Sequence, residues 1–220
     1  MAIKLSSLSN KKFESDYEIK AVLSTGVSIG GAGVGSTLAD KPVVKDAFDR
    51  FIIPGSHLKG RLRHECEKLV RALGEEVCES PRAESMCPQL AGLPEENKSR
   101  IKKVGGICPV CKLFGNPAIP SAILVSDLVW EERWTTETIR NRVAINRRRG
   151  TAEDRRLFFI ETTPTGVELE FKGRLFVLRA LEPQERKLVA AGLAQINALG
   201  GGKSGGSGWL RLSCEQLIRA

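Results

Sequence analysis

Two hydrophobic periods alternate along this chain, and their order leaves few folds open. The stretch "YEIKAVLSTGVSIGG" puts Ile19, Ala21 and Leu23 on one side of an extended segment, which predicts a strand entering a glycine-rich loop that ends near Gly35. After a loop holding Asp40, Asp46 and "FIIPGS", the spacing of Leu58, Leu62, Cys66, Leu69 and Leu73 predicts a helix with Ser56 as its cap. "SAILVSDLVW" and "VELEFKGRLFVLRA" return to the two-residue period, the second through Val167, Leu169, Phe171, Leu175 and Val177. Pro183 opens another helix through "QERKLVAAGLAQINAL", with Leu188, Ile196 and Leu199 among its apolar positions, and "GWLRLSC" predicts a last strand. The order β-α-β-β-α-β is that of an α+β, ferredoxin-like palm. A single domain over residues 1–220 accommodates it, with two insertions between its elements.

The first insertion, from about residue 74 to 116, holds four of the six cysteines, four prolines and many charges, and is longer than an ordinary connection. Such a segment needs its own staple. Cys108 and Cys111 form "CPVC", the spacing that lets two thiolates reach one ion, and Cys78 and Cys87 lie in the same insertion. Four thiolates would close a structural Zn2+ site with no open catalytic position. Reduced, unliganded thiols are the alternative, and His64 is a substitute ligand on the same face as Lys68. Cys66 falls on the apolar stripe of the helix, where burial accounts for it. The start "MAIKLSSLSNKKFESDYEIK" has no signal-peptide h-region, and no apolar run approaches the roughly 20 residues that span a bilayer. A cytoplasmic protein without a membrane partner is expected, and in that compartment disulfides are not.

Lys and Arg outnumber Asp and Glu by 34 to 26, a net charge of +8, which suits a polyanionic partner, nucleic acid first. Seven arginines crowd "RNRVAINRRRGTAEDRR", from Arg140 to Arg156. The planar guanidinium grips phosphate through two donors and stacks on bases, so Arg142, Arg147, Arg148 and Arg149 are candidate RNA contacts. Flanked by "ERW" and "LFFIETTPTG", the segment predicts a long hairpin, with Val143, Ile145, Phe158 and Phe159 available as wedges between bases; an exposed charged loop is the bland reading. Lys59, Arg61 and Arg63 form a second cluster at the start of the first helix, where the helix dipole adds to the attraction for phosphate. No RNP1 pattern of strand aromatics is present, so gripping of the RNA backbone is expected rather than base reading.

"GGGKSGGSGW" contains the Gly-Lys-Ser triplet of a phosphate-binding loop. A Walker motif requires glycine where Asn197 stands, and it runs from strand to helix whereas this loop runs from helix to strand. The glycines nonetheless permit positive φ and close backbone approach, so a sugar-phosphate chain can lie against the loop with Lys203 as its partner; an unliganded surface loop remains the alternative.

Taken in order on this frame, "IGG", "DKPVVKD", "IPGSHLKGRLR", "CPVCKLFG" and "LGGGKSGGSGW" resemble the RAMP superfamily, and more narrowly the Csm/Cmr backbone type of type III CRISPR effector complexes. The resemblance covers nearly the whole chain. It implies an RRM-like palm whose copies stack along a crRNA guide beside other RAMP subunits, each with a hairpin thumb, here about residues 133–163, that kinks the guide. It also implies that Lys59, Arg61 and Arg63, with Gly202, Lys203, Ser204, Gly205 and Gly206, hold guide phosphates. Asp40 of "ADKPVVKD" stands where the family places an aspartate that cleaves single-stranded target RNA at each kink with Mg2+ or Mn2+, making the protein an endoribonuclease within its complex. The alternative is an inert structural subunit of the same kind. Asp46 matches a second aspartate, expected to be structural. His57 departs from the small hydroxyl residue usual in the family.

Overall fold

The computed structural model describes residues 13–30, 39, 42–103, 105–132 and 136–219. Strand β1 (Ser15–Leu23) is an inner strand with one buried face, and its alternation is strict: Ile19, Ala21 and Leu23 are all but fully buried, while the residues between them face outward. The elements that follow are β2 (Ile52–Ile53), α1 (Gly55–Ala72), α2 (Glu95–Lys103), α3 (Pro109–Phe114), β3 (Ile123–Val125) and β4 (Leu128–Val129). Then come β5 (Thr138–Asn146), β6 (Thr151–Thr162), β7 (Leu169–Val177), α4 (Pro183–Ala194), β8 (Leu210–Ser213) and α5 (Glu215–Arg219).

Every pairing in the main sheet is antiparallel. β7 lies along the whole of β1, from Ser15 opposite Val177 to Leu23 opposite Leu169, and β8 takes the other edge of β1. β3 and β4 both pair with β7, and β2 pairs with β4, giving the order β2-β4-β7-β1-β8 with β3 beside β7. The chain is therefore a mixed α+β protein with a helix pair packed on one face of an antiparallel sheet. Val167, read from its period as part of β7, precedes the strand and is 44 % exposed.

"SAILVSDLVW" is not one strand but two short ones. Ser126 and Asp127 leave the ladder between them: the Ser126 hydroxyl accepts from Arg174 N, and Asp127 Oδ1 accepts from Gly55 N at 2.8 Å. That bond serves the first orphan donor of α1, whose N-cap is Pro54 with no side-chain cap, so Ser56 does not fill the capping role expected of it. The glycine of "IPGS" follows from the same packing, since a Cβ at position 55 would lie 2.2 Å from the Val125 carbonyl.

Helix α1 buries Leu58, Leu62, Cys66 and Val70. The stripe thus turns to Val70, leaving Leu69 only half-buried and Leu73, past the helix end, 78 % exposed. Its partner is α4, which starts with a capping box between Glu182 and Glu185 and stops at Ala194. Ile196 and Leu199 are buried as expected but lie beyond the helix, in the turn that leads to the glycine loop. The two helices touch at Gly192, where a Cβ would sit 2.7 Å from Cys66 Sγ. No helix among the described residues is long and apolar enough to cross a membrane.

The first insertion is more ordered than its irregular composition suggests. It contains α2 and α3 and buries Val77, Leu90, Leu93, Ile101, Val110 and Leu113. The second is a two-stranded sheet of its own, β5 against β6, from Thr138 opposite Thr162 to Asn146 opposite Thr151, with a bulge between Val143 and Ile145.

Candidate nucleic-acid interface and metal centre

The glycine loop is folded by its own backbone. Gly200, Gly202, Gly206 and Gly208 all have positive φ, and Lys203–Gly205 form a single 3-10 turn. Two of these glycines are fixed by carbonyls: a Cβ at Gly200 would meet Ser28 O at 2.5 Å, and one at Gly208 would meet Leu199 O at 1.9 Å. The start of α1 joins the loop through His57, whose Nε2 accepts from Gly200 N at 3.2 Å. Burial, and then the charges of Lys203 and Arg61, push the His57 pKa below its usual value, so the imidazole stays neutral and keeps its acceptor. The hairpin reaches the same place: Arg142 of β5 donates to Ser207 Oγ at 2.9 Å and lies over Gly202. Three segments far apart in sequence therefore meet, through His57 of α1, Arg142 of the hairpin and the loop that holds Lys203.

The basic cluster on α1 divides. Arg61 is close enough to His57 for its charge to act on the imidazole, and it pairs with Glu65, a carboxylate only 2 % exposed, at 2.6 Å. Lys59 and Arg63, one turn apart, point elsewhere. Lys59 donates to Ser121 Oγ, and Arg63 donates to Gly115 O at 3.0 Å, to Glu67 Oε1 at 3.1 Å and to Cys111 Sγ at 3.5 Å.

At the hairpin tip Arg147, Arg148 and Arg149 are exposed. Asn146 Oδ1 accepts from the backbone N–H of both Arg148 and Arg149, which shapes the turn, and Arg149 also pairs with Glu153 at 3.1 Å. Across the ribbon Phe158 stands opposite Arg142 while Phe159 stands opposite Asn141, so the two phenylalanines serve opposite faces. Val143 and Ile145 are 47 % and 56 % exposed.

Asp40 lies outside the described residues. On its C-terminal side Val43 bridges Gly30, Val44 N donates to Ile29 O, and Val43 N donates to the buried Glu161 at 3.1 Å, tying this segment to the root of β6. Asp46 closes a turn by accepting from Phe48 N, Arg50 N and the Arg50 side chain; burial works against its charge, but these bonds hold its carboxyl below the usual range.

The four insertion cysteines converge. Their sulfurs all lie within 4.8 Å of one another, with Cys78 and Cys111 at 3.4 Å and Cys78 and Cys108 at 3.7 Å. Thiolates on a tetrahedral zinc with bonds of about 2.3 Å sit roughly 3.8 Å apart, so the donor set and spacing fit a closed metal site. Cys108 is the N-cap of α3, accepting from Cys111 N, and its side-chain hydrogen bonds with Cys111, then Cys78 and Cys87, hold its thiol far below the ordinary range. Burial pulls the Arg63 pKa down, but Glu67 and the charge of Cys111 hold it above the usual value. His64 is exposed on α1, and Cys66 lies instead against α4, where burial pushes its thiol up to about 12.

Asp127, Glu161 and Ser207 carry this arrangement without any local signal in the sequence, because each serves a partner more than sixty positions away. The CRISPR system Cms endoribonuclease Csm3 of Methanocaldococcus jannaschii is 27 % identical over 212 residues, covering 89 % of this chain and 77 % of that protein. The family model for the RAMP superfamily matches residues 23–211, from the end of β1 into β8 and through both insertions. The chain belongs to the RAMP superfamily.

Proposed function

We propose that this protein is a guide-binding backbone subunit of a type III CRISPR effector complex, of the Csm/Cmr type, working in the cytoplasm on a crRNA and a single-stranded target RNA beside further copies of itself and other RAMP subunits. The observation that carries this reading is the meeting of α1, the glycine loop and the Arg-rich hairpin at one edge of a RAMP chain. The strand order supports a ferredoxin-like, RRM-like palm, and the separate β5-β6 ribbon supports a thumb. Arg61, Lys203, Ser204 and the open face of the loop at Gly205 and Gly206 would meet guide phosphates, with Arg147, Arg148 and Arg149 at the thumb tip.

The cysteine cluster is read as a structural Zn2+ centre. Cys78, Cys87, Cys108 and Cys111 would hold the ion, which supplies a cross-link to an insertion too small for a large core of its own. Arg63 belongs to this centre, its guanidinium answering the negative charge of the thiolates, and Lys59 braces the neighbouring Ser121.

Asp40 is the residue proposed for target cleavage, dependent on Mg2+ or Mn2+, as an endoribonuclease of the kind named for the archaeal relative. The complex purified with this subunit should carry a small RNA of defined length. Asp40→Ala should retain that RNA and abolish periodic target cleavage. If the cuts persist unchanged, Asp40 is not catalytic; if they are absent from the parent complex as well, the subunit is a structural holder of RNA.

A further inference from the structure

We infer that the glycine loop is a receptor for the thumb's own Arg142, and that Gly202 and Ser207 dock the hairpin onto the palm through it. Arg142 is a positioning residue whose guanidinium is occupied by the protein. The geometry is specific. A Cβ at Gly202 would lie 2.5 Å from Arg142 Nη2, 2.6 Å from Nη1 and 2.8 Å from Cζ, so the guanidinium lies flat against the space that glycine leaves; Gly205 borders it at 3.4 Å. Its Nη2 donates to Ser207 Oγ at 2.9 Å, and Ser207 is fully buried.

Ser207 is held in place by the loop. Its own N donates to Gly202 O at 3.3 Å, and the next residue is fixed by Gly208 N donating to Gly26 O at 3.0 Å. The acceptor is thus preorganised, and a charged donor to it makes one of the stronger single hydrogen bonds available to a side chain. Register places Arg142 midway along β5, opposite Phe158, well above the root where Thr163 N donates to Val27 O. A root contact alone leaves a two-stranded ribbon free to swing; a second contact partway along it fixes the angle at which it leaves the palm.

An alanine at position 202 would displace the guanidinium rather than the backbone, because the clash is with the far end of a long side chain. Gly202→Ala should therefore reproduce Arg142→Ala. This proposal rests on the RNA-binding reading only for its consequence in guide retention, so the test is made on the full chain free of RNA.

Amide hydrogen exchange is followed in the hairpin for the parent protein, Arg142→Ala, Arg142→Lys, Ser207→Ala, Gly202→Ala and the Arg142→Ala/Gly202→Ala double variant. Exchange of the β5 and β6 amides near Arg142 should rise about ten- to a hundredfold in Arg142→Ala, as for loss of one charge-assisted bond. Arg142→Lys should restore part of the protection through its remaining donor. Gly202→Ala should raise exchange to a similar degree in the parent yet add less than about threefold in the Arg142→Ala background, since its positive-φ cost is common to both. Unchanged protection in Arg142→Ala overturns the proposal, and so does a Gly202→Ala effect that is equal in both backgrounds. A variant that stays protected while losing guide RNA makes Arg142 a phosphate ligand instead. A parent protein that binds no RNA refutes the functional reading while leaving the docking result to stand by itself.

Discussion

Arg63→Met separates two roles that look the same in sequence. The substitution keeps an unbranched apolar stem on α1 and removes the donors that reach Glu67, Gly115 O and Cys111 Sγ. At the 3.5 Å separation of guanidinium and sulfur, unit charges attract by about 5 kcal/mol at an effective dielectric near 20 and by about 1 kcal/mol in water. The Arg63 side chain is 20 % exposed, so solvent screening places the working value between these limits. Loss of an outer partner of a metal ligand typically weakens metal affinity 10- to 100-fold, or about 1.4 to 2.7 kcal/mol, which falls inside that bracket. The protein loaded with Co2+ and titrated with a chelator gives the affinity directly from its thiolate-to-metal absorption. Arg63→Met should release the ion at 10- to 100-fold lower chelator, with the absorption bands unmoved because the same four sulfurs still bind. Arg63→Lys should fall between. The salt dependence of RNA binding should not change. If Arg63→Met holds cobalt as tightly as the parent while its RNA salt slope drops, the residue serves phosphate and the assignment fails; a parent protein that takes up no metal removes the centre itself.

Charge reversal at Arg147 and Arg148, exposed at the hairpin tip, should lower the slope of log affinity against log salt by about 0.7 for each single-strand phosphate no longer neutralised; an unchanged slope places the tip off the RNA. Arg149 should contribute less, because Glu153 already shares its charge. His57 is neutral in the fold and its pKa lies below the ordinary 6.5, so the unfolded chain binds the proton more readily. Its contribution to stability is fully present above pH 6.5 and is lost as pH falls through the folded value; melting temperatures from pH 7.5 to 5 should drop more steeply for the parent than for His57→Gln, and parallel curves would exclude the effect. Gly208→Ala places a Cβ 1.9 Å from a backbone carbonyl at φ +73°, with no flexible side chain to yield. It should cost more than about 2 kcal/mol in urea unfolding, and a smaller loss would mean the loop can reshape.

What the sequence reveals and what it hides follow from the range of the forces involved. The alternation of Ile19, Ala21 and Leu23 is legible because a strand with one buried face repeats its pattern locally. "CPVC" is legible because two ligands three positions apart must share an ion or a turn. The break at Ser126 and Asp127 is not, since the bond that causes it runs to Gly55, and neither is the division of Lys59, Arg61 and Arg63, which depends on how α1 is rotated against the insertion. The glycine loop shows the limit most sharply. Glycines in a sequence announce that something comes close without saying what, and the structure gives a different answer at each position. At Gly200 and Gly208 it is a carbonyl of the palm, and at Gly202 it is the guanidinium of Arg142. Gly206, with φ +79°, has no atom of the described residues within 4 Å of its absent Cβ. Of the loop's four glycines at positive φ, it is therefore the one whose face no described residue covers, and on the proposed function that face is where a guide backbone would lie beside Lys203.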